Sequence, residues 1–269
     1  TVGGIAGRTD GSVNGCLNEG NITVEVSENG GVSGGGITGD CNGKNIRITG
    51  CINRGKLSGN STSYKTEGIS LAGIVGTNFS GSTINNCLNE GEVNVRFSSS
   101  QTVYSPFSAA GITTSNYGLV INSGNTGRIA VQSDMKATVG GISSHNSGSI
   151  VNSYNIGAIA CNGRKGQTFY NNGGGITGVF QYSTIGITPL IYGCYNSGTV
   201  SSTGSEEQIG SIAGDASYLI DEYNVPTRIR NTYHSTETGK SIGNDYYQQS
   251  QYILGVFDMK GKDFRQDLN

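Results

Sequence analysis

Apolar and polar residues alternate in short runs along this chain, as in NITVEV at 21–26, EVNVRF at 92–97 and RIAVQ at 128–132. A period of two is the spacing of a strand with one buried face. β-branched residues dominate these runs and glycines interrupt every segment, which disfavours helix. The runs therefore predict many short strands.

The strands recur in a frame. CLNEG at 16–20 returns letter for letter at 87–91, and its closing glycine has counterparts at Gly20, Gly55, Gly91, Gly127, Gly157 and Gly198. By subtraction the gaps are 35, 36, 36, 30 and 41 residues. Seven positions before these glycines stand Val13, Ile48, Ile84, Val120, Ile150 and Ile191; four before stand Cys16, Cys51, Cys87, Ser123, Ser153 and Cys194. Two before stand Asn18, Asn53, Asn89, Asn125, Asn155 and Asn196, and two after stand Ile22, Leu57, Val93, Ile129, Ile159 and Val200. A second element, GGIAG in its first copy, precedes each frame and places Ile5, Ile37, Ile74, Ile112, Ile142, Ile176 and Ile212. A seventh unit decays: Ile229, Thr232 and Tyr233 fit, but Thr236 replaces the glycine. Terminal repeats are commonly atypical because one side lacks a neighbour.

This period admits helical as well as strand repeats, and the local chemistry selects strands. The predicted fold is all-β: a parallel β-helix of about seven coils over residues 1–240, right-handed as such coils usually are. Each coil is expected to hold two or three short strands, with Gly and Asn at the corners where φ > 0 is needed. Coils stacked about 4.8 Å apart give a rod roughly 30 Å long. Charge supports the register. The rows Glu19, Arg54, Glu90 and Lys56, Glu92, Arg128 alternate in sign from coil to coil. The repeated Asn is read as a corner residue whose amides stack and hydrogen-bond along the rod.

Residues 241–269 break the period and gather Tyr246, Tyr247, Tyr252, Ile253, Leu254, Phe257 and Phe264. An open solenoid end exposes unpaired backbone, so this segment is expected to cap that end or to begin a link to a following domain. The chain opens inside a motif, TVGGIAG, which reads as a piece of a longer precursor.

The G-(I/L)-(A/V/T)-G element followed by apolar-x-N-C-x-N-x-G-x-V resembles the GLUG-motif repeats of bacterial surface proteins, over about residues 2–240. The tail GKDFRQDLN is similar to the segment that often follows such arrays. The resemblance implies an adhesin-like or otherwise non-catalytic module, extracellular or on the cell surface, and carries over no catalytic residue. The pattern departs at coils four and five, where Ser replaces Cys.

Composition narrows the chemistry. Glycine is 45 of 269 residues, tryptophan is absent and charged residues make up 13%. The glycines lack the three-residue period of collagen, and the ordered Ile and Val rows argue against disorder. A net charge of −2 argues against binding nucleic acid. No run of 18 apolar residues exists, so membrane insertion is not expected. Four of the six cysteines share one repeat position, where Ser also stands, which reads as a buried row of small side chains. Cys41 and Cys161 lie off it, no CxxC occurs, and neither zinc nor a cofactor is expected. His145 and His234 are the two histidines, and no nucleophile elbow accompanies them. Asp10, Asp40 and Asp215 fall in separate coils; GDCNGKN at 39–45 allows either a local calcium or an Asx turn. Thr keeps no common column, so ice binding is set aside.

The variable loops hold the remaining candidates. One set contains Tyr64, Tyr104, Phe107, Phe169 and Tyr170, the candidate binding residues; the other contains Phe79, Tyr117, Phe180, Tyr182, Tyr218 and Tyr223. Rings projecting from polar loops suit sugar stacking or protein contact, and the alternative is that they fold back to cover the rod. The leading expectation is a surface module that presents loops to a glycan or a host-surface protein, joined to further domains of its precursor. The alternatives are a polysaccharide lyase or glycoside hydrolase built on a β-helix, and a pure spacer.

Overall fold

The alternating runs form strands, and every strand pairs with its counterpart one repeat away. The computed structural model describes residues 1–27, 30–43, 45–64, 66–99, 107–163, 171–181, 189–203, 207–218, 228–235, 240–244 and 253–258. They contain 35 strands and no helix. The third coil shows the plan. Thr66–Ala72 lies in sheet 1, Val75–Asn78 in sheet 2, Thr83–Asn85 and then Leu88–Asn89 in sheet 3, and Val93–Phe97 in sheet 4. In chain order the sheets hold 7, 8, 14 and 6 strands, and each pairing between coils is parallel. The fold is a parallel β-solenoid.

Six coils are complete, one fewer than the expected seven. The next contributes Glu207–Gly210, Ala213–Tyr218 and Arg228–His234, with no described sheet 4 strand. Within the segment expected to cap or link, Ile242–Asn244 adds to sheet 2 and Ile253–Asp258 pairs with Arg228–His234, both in parallel. Each complete coil has five short strands rather than two or three. The additional break lies inside sheet 3, at Gly15, Gly50, Asn86, Asn122, Asn152, Gly193 and Asn231, all with φ between 47° and 63°. Only Gly and Asn adopt this left-handed region readily, and only they occupy the column.

The interior is two cores. One, between sheets 2 and 3, stacks Ile37, Ile74, Ile112, Ile142 and Ile176 against Ile48, Ile84, Val120, Ile150 and Ile191, with Cys51, Cys87 and Cys194 beside them. The other, between sheets 1 and 4, holds Ile69, Leu71, Phe107 and Val139 against Leu57, Val93, Ile129 and Ile159. The chain passes between the cores at two places in each coil, the GG-I junction and the Asn-x-Gly corner, and these two places touch.

Asparagine forms the contact. Asn18, Asn53, Asn89, Asn125 and Asn155 each donate Nδ2 to Oδ1 of the Asn one coil on, at 2.7–2.8 Å, ending on Asn196. The same amides, and that of Asn196, donate to the carbonyl two residues later, at Gly20, Gly55, Gly91, Gly127, Gly157 and Gly198. The row was expected at an outer bend, yet Asn53, Asn89, Asn125, Asn155 and Asn196 are fully buried. Burial of the first four is tolerated because both amide hydrogens are used; a buried amide without partners costs roughly 1–3 kcal/mol.

Glycine lets the two passages meet. A methyl group on Gly73 would overlap both Asn89 Cγ and the Gly111 carbonyl oxygen, and Gly36, Gly111, Gly141 and Gly175 are hemmed in the same way. On the surface, Arg54 reaches Glu19 at 3.5 Å and Glu90 at 2.7 Å, while Glu92 takes Lys56 at 2.9 Å and Arg128 at 3.3 Å. These exposed pairs add little stability. They do report the register that the alternating charges implied.

Gly73→Ala is expected to destabilise the fold by about 3 kcal/mol, because backbone and a locked amide leave the methyl no space. Gly11→Ala, with nothing within 4 Å of the new methyl, should stay within about 0.5 kcal/mol of wild type. Paired denaturant melts make the comparison.

Candidate ligand-binding face

Sheet 3 turns Ile48, Ile84, Val120, Ile150 and Ile191 inward, so their neighbours face out. The outer columns read Arg47, Thr83, Leu119, Ser149, Leu190 and Thr49, Asn85, Ile121, Val151, Tyr192. Between the second and fourth coils they form a shallow hollow of about 400 Å³ lined by Arg47, Thr49, Thr83, Asn85, Leu119, Ile121 and Asn122. Asn122 Nδ2 donates to Asn85 Oδ1 at 3.3 Å along its margin. The surface grows more apolar toward the C-terminal coils, where Tyr192 is 40% exposed and Ile156 46%.

Two rings stand at the corner where sheet 2 passes into sheet 3. Phe79 and Tyr117, in successive coils, are 38% and 37% exposed. They stack with centroids 6.4 Å apart and planes at 27°. Each follows a second buried asparagine row that the sequence reading did not single out. Asn78 donates to Asn116 at 2.8 Å and Asn116 to Asn146 at 2.7 Å. The row stops where Cys41 and Phe180 take the same register position. Its outermost atoms, Asn78 Oδ1 and Asn146 Nδ2, lack hydrogen-bond partners. The signal in the sequence was an Asn four residues after Ile74, Ile112 and Ile142.

The first loop set fares differently. Tyr64 is 49% exposed just before the sheet 1 strand of the third coil. Phe107 is not a loop residue: it opens the strand Phe107–Ala110, in register with Ile69 and Ala137, and is fully buried. Its ring stacks on Phe97 at 4.2 Å inside the second core. Alternation from Ala109 carries Phe107 inward, so it is withdrawn as a binding residue. Phe180, from the other set, is also fully buried. Tyr104, Phe169, Tyr170, Tyr182 and Tyr223, and the side chain of Tyr218, lie outside the described residues.

The other candidates carry little chemistry. All six cysteines are free. Their row behaves as small core side chains, with Cys51, Cys87 and Cys194 thiols donating to backbone carbonyls at 3.4–3.7 Å. Burial pushes the Cys41 and Cys194 thiols up to about 12, away from the reactive thiolate. Among the described residues, no group of three or more His, Cys, Asp or Glu is gathered for a metal. His145 stands on the outer face of sheet 2 beside Ser115 and Val179. Ser108 Oγ makes no hydrogen bond, so it forms no Ser–His couple with His145. Among the described residues no helix is long and apolar enough to cross a membrane.

The chain matches no protein-family model, no curated protein and no solved structure.

Burial lowers His145 from 6.5 to about 4, and the Lys136 charge adds to the shift. The folded form thus keeps the ring neutral. Between these two values the unfolded chain binds a proton that the folded chain refuses, so stability falls as pH drops from about 6.5 toward about 4. His145→Gln should flatten that part of the pH profile of the melting temperature; an unchanged slope would contradict the assignment.

Proposed function

We propose that this chain is a non-catalytic, adhesin-like repeat module of an extracellular or cell-surface protein, holding a glycan or a host-surface protein on its sheet 3 face. The observation that carries the reading is the pairing of a stacked, exposed Phe79–Tyr117 with the hollow beside it. Leu119 and Ile121 offer apolar area there, and Arg47, Thr49, Thr83, Asn85 and Asn122 offer donors and acceptors. Apolar area with a few fixed polar groups is the usual make-up of a recognition site.

The scaffold supports this use. Both asparagine rows and the parallel pairing hold successive coils in one register, so side chains two coils apart keep their spacing without ligand. Rigid presentation lowers the ordering cost of binding. The resemblance to GLUG-motif repeats of bacterial surfaces points the same way. Glu19, Glu90 and Glu92 are engaged by Arg54, Lys56 and Arg128, which argues against their use in glycoside hydrolysis, a reaction that needs two carboxyls flanking one bond.

Replacing Phe79 and Tyr117 together by Ala should weaken retention on a glycan array or on immobilised host-surface protein about tenfold or more, with the melting temperature unchanged. Absence of any retention by the wild-type chain would make it a spacer and contradict the proposal.

A further inference from the structure

A second site lies on another side of the rod. The outer faces of sheets 1 and 2 meet at an inward-folded corner, with sheet 1 of each coil against sheet 2 of the next. Ser33 Oγ in the second coil lies 3.4 Å from Thr77 Oγ1 in the third, and donates to Asp40 Oδ1 at 3.2 Å. One coil further on, Ser70 and Ser115 hold the positions of Ser33 and Thr77. Both keep contact with solvent. After them come Ser108 and His145.

Between these walls runs a cleft of about 370 Å³ whose lining includes Gly31, Ser33, Glu67, Ser70, Thr77 and Ser115. Next to Ser33, Gly76 leaves no room for a side chain: a methyl group there would overlap the Gly39 carbonyl oxygen and come 2.5 Å from Ser33 Oγ. Thr114 also lines it, but its hydroxyl is spent on the Gly76 carbonyl at 2.6 Å. Beyond Ser70 the row continues through Ser108 and Thr138, which are buried and do not line the cleft. Phe107 and Ala109 turn into the core, so Ser108 faces outward, yet it is 2% exposed and its hydroxyl has no hydrogen-bond partner.

We infer that this cleft is a binding groove for a neutral saccharide chain. Hydroxyls both donate and accept, which is the pairing that sugar hydroxyls require. Gly31 and Gly68 leave part of one wall flat, suited to the C–H face of a sugar ring. The wall strands spend their backbone groups on neighbouring coils, so the cleft offers no free strand edge for a peptide to extend. Glu67 is the charged side chain on the lining, which favours a neutral chain over an acidic one. The site is separate from the sheet 3 face and does not depend on it.

Titration of cellohexaose, mannohexaose, chitohexaose and a galacturonic acid hexamer, followed by saturation-transfer NMR and calorimetry, tests the inference. At least one neutral hexamer should bind. Ser115→Trp, which fills the cleft, and the milder Ser70→Val, which replaces a hydroxyl with apolar carbon, should each weaken that binding at least tenfold. In the Phe79→Ala, Tyr117→Ala background, where the sheet 3 face is disabled, a neutral hexamer should still bind and Ser70→Val should still weaken it. Failure of every neutral hexamer to bind at millimolar concentration would overturn the groove, as would equal binding of the acidic hexamer. Binding that disappears in the double variant but survives in folded Ser70→Val would also overturn it, while leaving the sheet 3 proposal standing.

Discussion

Asparagine amides from Asn18 to Asn196 run through six coils in one hydrogen-bonded line, and most of the line is sealed from water. An amide offers two donor hydrogens, and here one closes the local turn while the other reaches the next coil. Both demands are met only if each coil sits one strand spacing above the last, in exact residue register. A slip by one residue would bury amides without partners at a cost of roughly 1–3 kcal/mol each, and would turn the isoleucine rows outward. The line thus enforces the same register that the two apolar cores favour.

The glycine content follows from that constraint. Where the amides approach the GG-I passage, Gly36, Gly73, Gly111, Gly141 and Gly175 have no room for a methyl group. The glycines after the Asn column are squeezed by the carbonyl of the glycine one coil before. The waist that results divides the interior into two slim cores, each of which aliphatic side chains can fill without large rings. Where rings do enter, at Phe97, Phe107 and Phe180, the regular row around them is altered. Phe180 ends the second asparagine row by standing where its next member would be.

Much of this was legible in the residues themselves. The Asn, Ile and Cys columns, and the alternating charges at Glu19, Arg54 and Glu90, each recur at fixed offsets, and stacking converts an offset into a contact. The left-handed column was equally legible, since Asn or Gly always precedes the Cys or Ser position, but its consequence, a fifth strand, was not. Phe107 was misread because it was grouped with the variable loop before it; counted back from the GG-I element it stands five residues before Ile112, as Ile69 and Ala137 stand before Ile74 and Ile142. The burial of the Asn row was hidden because a single coil does not show that two of its passages touch. The cleft was invisible for a related reason: Ser70 and Ser115 lie in different coils and face each other only through the offset between sheets 1 and 2. Sites on a solenoid arise between coils, and offsets along the chain do not reveal which outer faces converge.

The central claim, that a buried and continuous amide line holds the coils together, is tested most directly by hydrogen exchange at the side-chain NH₂ groups of Asn53, Asn89 and Asn125, resolved by NMR. The account predicts that these hydrogens exchange orders of magnitude more slowly than those of the exposed Asn14 amide, and at rates close to those of the core backbone of sheets 3 and 4. Exchange of Asn53, Asn89 and Asn125 at the rate of a free amide would contradict it.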